Sequence, residues 1–294
     1  MKTNSILFVG CGDLGCRAGD RLLASGWRVT GQRRNPEQLP SGFGRVAADY
    51  TAPGGLDFIA GLAPDYVVAT FNPSERSEEG YRKGFIGGAQ NLLAGLGGHR
   101  PKAILTVSST RVYAERSGGW VDESADLARD DPRATAMITA EQLLLNSPHA
   151  ASVIRFAGIY GAAKGRLLQR IARGELSPEH PLRYGNRIHR DDCAGFLCHL
   201  LQRAASGDEL AALYNAVDDL PAVQFEVESW LAARLGVAHA VDPAAGTAVK
   251  NAPGFNSIGH KRCSNRLLHT SGYELIYPDY RSGYSAVLEL KSPE

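Results

Sequence analysis

Gly10-Cys11-Gly12-Asp13-Leu14-Gly15 follows the apolar run Ile6-Leu7-Phe8-Val9 and leads into a segment of helical periodicity over residues 14–25. A glycine loop in that setting, between a strand and a helix, reads as a cradle for a dinucleotide pyrophosphate. Gly10 permits the tight turn, Gly12 lets the backbone approach the phosphates, and Gly15 lets helix and strand pack closely. Asp13 and Leu14 begin the helix whose N-terminal N–H groups face the anion.

Outward from this loop, short runs rich in β-branched and aliphatic residues recur at 6–9, 27–31, 45–48, 66–71, 103–108 and 152–156. Helix-length amphipathic segments lie among them at 14–25, 80–96 and 133–146, the second loosened by Gly84, Gly87 and Gly88. Parallel strands need crossover connections, so the alternation predicts an α/β fold with a doubly wound parallel sheet. Residues 1–160 form this Rossmann domain. Beyond Gly161 the pattern loosens around Pro178, Pro181 and Gly185, then gives a helix at 191–205, a strand at 213–217 and a helix at 224–235. A loop rich in Pro, Gly and Ala is expected over 242–259. Residues 161–294 thus read as a smaller, interleaved substrate lobe, with 189–217 returning to the Rossmann domain.

A chain of 294 residues with 44% hydrophobic content can bury a full core. Its 32 basic and 31 acidic side chains nearly cancel, so no global field draws it to nucleic acid or to an anionic membrane. No apolar run approaches the roughly 20 residues of a membrane span. The five cysteines have no framework spacing, which points to reduced thiols and a cytoplasmic protein. His189, Asp191, Asp192, Cys193, Cys198 and His199 are metal-type side chains, but their spacing spreads them over a helix start and different faces, so no metal is expected.

The end of the second strand selects the cofactor. An acidic residue there binds the ribose 2′-OH of NAD, whereas arginine accommodates the 2′-phosphate of NADP. The segment reads Gly31-Gln32-Arg33-Arg34-Asn35, without a carboxylate. Arg33 and Arg34 therefore favour NADP(H) over NAD(H), through paired charge-assisted hydrogen bonds. Asp49 is a partner for the adenine amino group, and Thr70 and Ser108, near the ends of their strands, complete the cofactor-binding set.

On five blocks in order, the chain resembles the extended short-chain dehydrogenase/reductases, the NAD-dependent epimerase/dehydratase family, over nearly its whole length. Besides the glycine loop they are Ser108-Ser109-Thr110-Arg111-Val112-Tyr113, Arg155-Phe156-Ala157-Gly158-Ile159-Tyr160-Gly161, Asn186-Arg187-Ile188-His189-Arg190-Asp191-Asp192 and Lys261-Arg262-Cys263-Ser264-Asn265. The resemblance implies a Tyr-x-x-x-Lys pair and a Ser or Thr acting beside the nicotinamide. Glu141-Gln142-Leu143-Leu144 sets the register, and the tyrosine and lysine positions fall on Arg133 and Met137. Neither can exchange a proton near neutral pH. The family's asparagine falls on Phe85, and the acidic pair of its dehydratases on Thr110 and Arg111.

Among catalytic candidates Ser109 remains, joined by Tyr113 and Tyr160 near strand ends; His189 is assigned a structural role. The resemblance thus implies an atypical member that binds NADPH and acts as an oxidoreductase on a carbonyl or sugar-like small molecule. The alternative is a catalytically silent NADPH-binding sensor or regulator. A homodimer through residues 80–96 and 133–146 is a further implication.

Overall fold

In the computed structural model, which describes residues 3–237 and 259–289, the predicted alternation resolves into one seven-stranded parallel sheet flanked by helices. The strands in chain order are β1 (Ser5–Val9), β2 (Arg28–Arg33), β3 (Gly44–Ala47), β4 (Tyr66–Ala69), β5 (Ala103–Ser109), β6 (Trp120–Val121), β7 (Ala151–Phe156), β8 (Gly158–Tyr160), β9 (Tyr184–Gly185), β10 (Arg187–His189), β11 (Leu213–Ala216), β12 (Ala222–Val223) and β13 (Arg262–Cys263). The helices are α1 (Asp13–Ala24), α2 (Phe58–Leu62), α3 (Glu78–Tyr81), α4 (Gly88–Leu96), α5 (Pro132–Leu145), α6 (Arg166–Ala172), α7 (Arg190–Ser206), α8 (Gln224–Arg234), α9 (Arg266–Thr270) and α10 (Tyr280–Glu289). The loop expected over 242–259 falls, apart from Gly259, outside the described residues.

The sheet order is β11-β7-β5-β4-β1-β2-β3, so the chain reverses direction of growth between β1 and β4. Open α/β sheets bind their ligands at such a switch point, beyond the strand C-termini. Strand β1 shows why the pattern is continuously apolar. Ile6 and Phe8 face a cluster with Leu22 of α1 and Leu197 of α7, while Leu7 and Val9 face one with Leu92 of α4 and Met137 of α5. Both faces of the strand are covered, as a parallel sheet requires. Each such buried side chain contributes about 1.5–3 kcal/mol of transfer free energy. A third cluster, with Leu168, Leu231, Tyr280 and Tyr284, joins α6, α8 and α10. Two-stranded pairs β8–β10, β9–β12 and β6–β13 complete the sheet structure.

The single helix expected over 80–96 is instead α3, a wider π turn over Arg82–Gly87, and α4. The segment leaving β4 presses on it. A Cβ at Gly84 would stand 2.1 Å from the Asn72 carbonyl oxygen, and one at Gly88 would stand 2.9 Å from the Phe71 ring. Glycine therefore lets the helix run along this segment, with its hydrogen bonding locally widened.

Candidate functional site

The glycine loop emerges from β1 at the switch point and is held from both sides. Gly10 has φ +73°, and a Cβ there would stand 2.9 Å from the Thr70 carbonyl oxygen. Thr70 Oγ1 donates to the Gly10 carbonyl at 2.7 Å. On the other side the Gly10 N–H donates to Gln32 Oε1 at 2.9 Å, and Gln32 Nε2 donates to the Ala48 carbonyl at 2.5 Å. Gly12 differs. Its φ is −98°, and a Cβ there would meet only the Gly10 carbonyl oxygen, 3.8 Å away, so the space beside it is open. Gly12 is also the N-cap of α1 and offers no side chain to the first-turn N–H groups, which leaves them for an anion. At Gly15 a Cβ would stand 3.0 Å from Cys11 Sγ and 3.5 Å from Phe8, the close packing expected of that position.

A cavity of about 240 Å³ opens over this loop. Gly10, Gly12, Arg33, Arg34, Asp49 and Thr70, six of the residues proposed from sequence for the cofactor, all line it. Arg33 ends β2 and donates Nη2 to Gln38 Oε1 at 2.6 Å, while Arg34 next to it is exposed. Asp49 accepts from the Thr51 N–H and hydroxyl through Oδ1. A Gly12 cradle that a Cβ would fill and an uncapped helix start fit a dinucleotide, with two guanidiniums in the same lining. Gln32, Tyr50 and Asn72 line the same cavity and were not singled out from sequence. The Tyr50 hydroxyl donates to the Asn72 carbonyl and accepts from the Asn72 N–H, both at 3.0 Å. Tyr50 and Asn72 each stand just past a strand C-terminus, which is the signal that could have found them.

The remaining candidates lie elsewhere. Ser108 is buried, and its hydroxyl donates to Glu141 Oε1 at 2.5 Å. Glu141 is itself in a buried ion pair with Arg155 at 2.6 Å. Arg155 also donates to the Tyr113 hydroxyl at 3.1 Å, and that hydroxyl donates to Asn215 Oδ1 at 2.6 Å. Tyr113 is therefore enclosed in a core network; burial pushes its pKa up to about 12, with Arg155 opposing the rise. Ser109 points the other way along the strand and caps the turn Thr110–Val112, accepting from the Arg111 N–H at 3.2 Å. Buried Lys261 donates to the Thr110 carbonyl at 3.3 Å and so supports the same turn; burial pulls its pKa down to about 8. Met137 is 4% exposed in the core, and Arg133 donates to the Arg76 carbonyl at 2.8 Å.

Tyr160 lines a second, larger cavity of about 510 Å³, together with Asp13, Leu168, Arg187, Arg190 and Tyr284. Its hydroxyl donates to the Asp279 carbonyl at 3.3 Å, and its ring stacks on Tyr284 at 4.4 Å. His189 caps α7, accepting from the Asp191 N–H at 3.2 Å, and burial holds its pKa down to about 4. Asp13, at the start of α1, belongs to both the phosphate loop and this second cavity. Among the described residues no group of three or more His, Cys, Asp or Glu side chains converges as a metal site, and no helix is long and apolar enough to cross a membrane.

The sheet order, its switch point and the glycine loop define a protein of the Rossmann dinucleotide-binding class. The comparisons narrow this. A solved structure from Methylobacillus flagellatus, assigned as an NAD-dependent epimerase/dehydratase, is 35% identical over 99% of each chain, with a TM-score of 0.82. The protein belongs to the NAD-dependent epimerase/dehydratase family. A conserved protein of unknown function from Silicibacter pomeroyi is 24% identical, over 98% of this chain and 99% of that one, at a TM-score of 0.74. Human epimerase family protein SDR39U1, solved with NADPH, is 21% identical, over 97% and 99%, at 0.73, and shares the fold. No family model matches the chain, and no curated protein does.

Proposed function

We propose that the protein binds NADPH in preference to NADH and acts in the cytoplasm as an oxidoreductase or epimerase-like enzyme on a carbonyl or sugar-like small molecule. The observation that carries this is the juxtaposition, in one cavity, of the open face of Gly12 with Arg33 and Arg34, where no carboxylate ends β2. The first-turn N–H groups of α1 hold the pyrophosphate, Arg33 and Arg34 hold the 2′-phosphate, and Asp49 accepts from the adenine amino group. The bound nicotinamide supplies or receives hydride. Ser109, with its hydroxyl at the end of β5, donates a hydrogen bond that orients the substrate oxygen, and the proton comes from another group. The five free cysteines, four of them buried, suit a reducing compartment. Titration of both cofactors by calorimetry, followed by a screen of carbonyl and sugar substrates for NADPH oxidation, tests the proposal. Equal affinity for NADH and NADPH would sink the cofactor assignment.

A second reading, a catalytically silent NADPH-binding sensor, is favoured by the commitment of the Tyr113 hydroxyl to Asn215 and Arg155. Arg133 and Met137 on α5 point the same way, since neither replaces the family's acid/base. Tight NADPH binding without turnover on any substrate would select it. The homodimer expected through residues 80–96 and 133–146 is tested by sedimentation, and a monomer would overturn it.

A further inference from the structure

We infer that the larger cavity recognises a single carboxylate group on the substrate, held by the buried guanidinium of Arg187. This adds a substrate class to the function proposed above and rests on that proposal, the cavity meeting the phosphate loop at Asp13. Arg187 lies on β10, is 9% exposed and lines the cavity. Among the described residues its guanidinium makes one hydrogen bond, from Nη1 to the Gly185 carbonyl at 3.1 Å, and no carboxylate forms an ion pair with it. Nε and Nη2 keep unused donors, and neither is sealed in the interior. A buried cation without a counter-charge is costly unless a ligand supplies one. The planar fork of donors suits an oxyanion taken two oxygens at a time.

Neither Asp13 in the cavity wall nor Asp218 beside Arg187 supplies that charge. Asp13, across the cavity, is engaged by Arg17 at 3.2 Å and by Arg190 at 3.8 Å. Asp218 is adjacent by construction, since its N–H donates to the Arg187 carbonyl at 2.7 Å. Its side chain is 1% exposed and neither oxygen has a hydrogen-bond partner. Neither oxygen comes within ion-pair distance of Arg187, and burial pushes the carboxyl up to about 8, a rise that Arg187 opposes. A buried guanidinium with no ion-pair partner among the described residues therefore faces a cavity with apolar walls from Tyr160, Leu168 and Tyr284. A single carboxylate matches it. A diphosphate would bring a second negative charge, for which Arg187 leaves no partner: Arg190 in the same wall is paired with Asp13 at 3.8 Å, and Arg166 at the rim is exposed and screened by solvent.

The test is calorimetric titration of the NADPH-loaded protein with galacturonate, pyruvate, galactose, inorganic phosphate and uridine diphosphate. The expected result is that galacturonate binds at least about tenfold more tightly than galactose, and that both carboxylates bind more tightly than phosphate or the diphosphate. Arg187→Met should weaken carboxylate binding by about tenfold or more while NADPH affinity stays at the wild-type value. Arg187→Lys, which keeps the charge but not the fork, should weaken it by about threefold or more, and it carries the test if the methionine variant does not fold. Tighter binding of phosphate or diphosphate, no binding of either carboxylate, or unchanged carboxylate affinity in the folded variants would each overturn the inference. Failure of NADPH to bind would overturn the cofactor proposal instead, and the same titrations are then read on the protein without NADPH by the same criteria.

Discussion

The Gly10 N–H donates to Gln32 Oε1 at 2.9 Å while Nε2 of the same side chain donates to the Ala48 carbonyl. Gln32 is fully buried, so one amide ties the phosphate loop to the end of β3, where Asp49 follows. An amide can accept and donate at once; a carboxylate or an alkyl group cannot. Gln32→Leu removes the partners of two half-buried backbone groups that line the cavity and should cost about 1–3 kcal/mol, the net worth of two hydrogen bonds. Gln32→Glu should restore the Gly10 contact but oppose the Ala48 carbonyl. Chemical denaturation of the three proteins checks this, and a leucine variant as stable as wild type would show that the bridge is unimportant.

Selectivity for NADPH should reside in Arg33 and Arg34. Wild type is expected to prefer NADPH by at least about tenfold, equivalent to about 1.4 kcal/mol. Replacing both by alanine should remove the preference by weakening NADPH binding, with NADH binding nearly unchanged. Calorimetry with both cofactors is the readout. Parallel loss of both affinities would mean that the arginines hold the loop and not the 2′-phosphate.

Gly10 and Gly12 should fail differently. At Gly12 the φ is ordinary and the space open, so Gly12→Ala should melt within about 2 °C of wild type yet lose most of the NADPH-induced shift. At Gly10 a side chain meets φ +73° and the Thr70 carbonyl, so Gly10→Ala should lose about 1–2 kcal/mol or more before any ligand is added. Thermal melts with and without NADPH separate the two. A full ligand shift in Gly12→Ala would move the phosphate site elsewhere.

Asp218 should make stability depend on pH. Its folded pKa, pushed up to about 8 by burial, lies above the ordinary value of 3.8, so the folded state holds a proton that the unfolded state releases. The contribution is fully present below about pH 4 and is lost as pH rises from there to about 8. Asp218→Asn, which cannot ionise, should therefore gain on wild type across this interval. The gap should be small at pH 4 and amount to several degrees at pH 8, at about 2–4 °C per kcal/mol. A pH-independent difference in melting temperature would show that the carboxyl does not titrate there.

Ser109 should matter to turnover where Arg133 and Met137 do not. Ser109→Ala is expected to lower kcat by about a hundredfold or more, as removal of a hydrogen-bond donor aimed at the reacting oxygen does. Arg133→Ala and the volume-conserving Met137→Leu should change it by less than about threefold. If either of those abolished activity while NADPH still bound, α5 would have to carry the chemistry after all.

The glycine loop and the basic end of β2 were legible in the sequence because their signals are local. A positive φ at Gly10, an uncapped helix start and two consecutive arginines are properties of a few neighbouring residues, and strand-helix alternation sets the sheet class. The break in the helix after Tyr81 was only partly legible, since the glycines were visible but the Asn72 carbonyl that requires Gly84 comes from another element. What the side chains of the candidate site do was settled by distant partners. Ser108 and Ser109 are adjacent and chemically alike, yet strand alternation turns one hydroxyl onto Glu141, 33 residues away, and leaves the other at the turn. Tyr113 is tied to Asn215, 102 residues away, and Arg187 has no ion-pair partner among the described residues. Sequence determined which groups the chain carries and where the phosphate loop lies. Only the tertiary structure decided which groups are committed to one another, because a hydrogen bond or an ion pair depends on ångström distances that residue order does not specify.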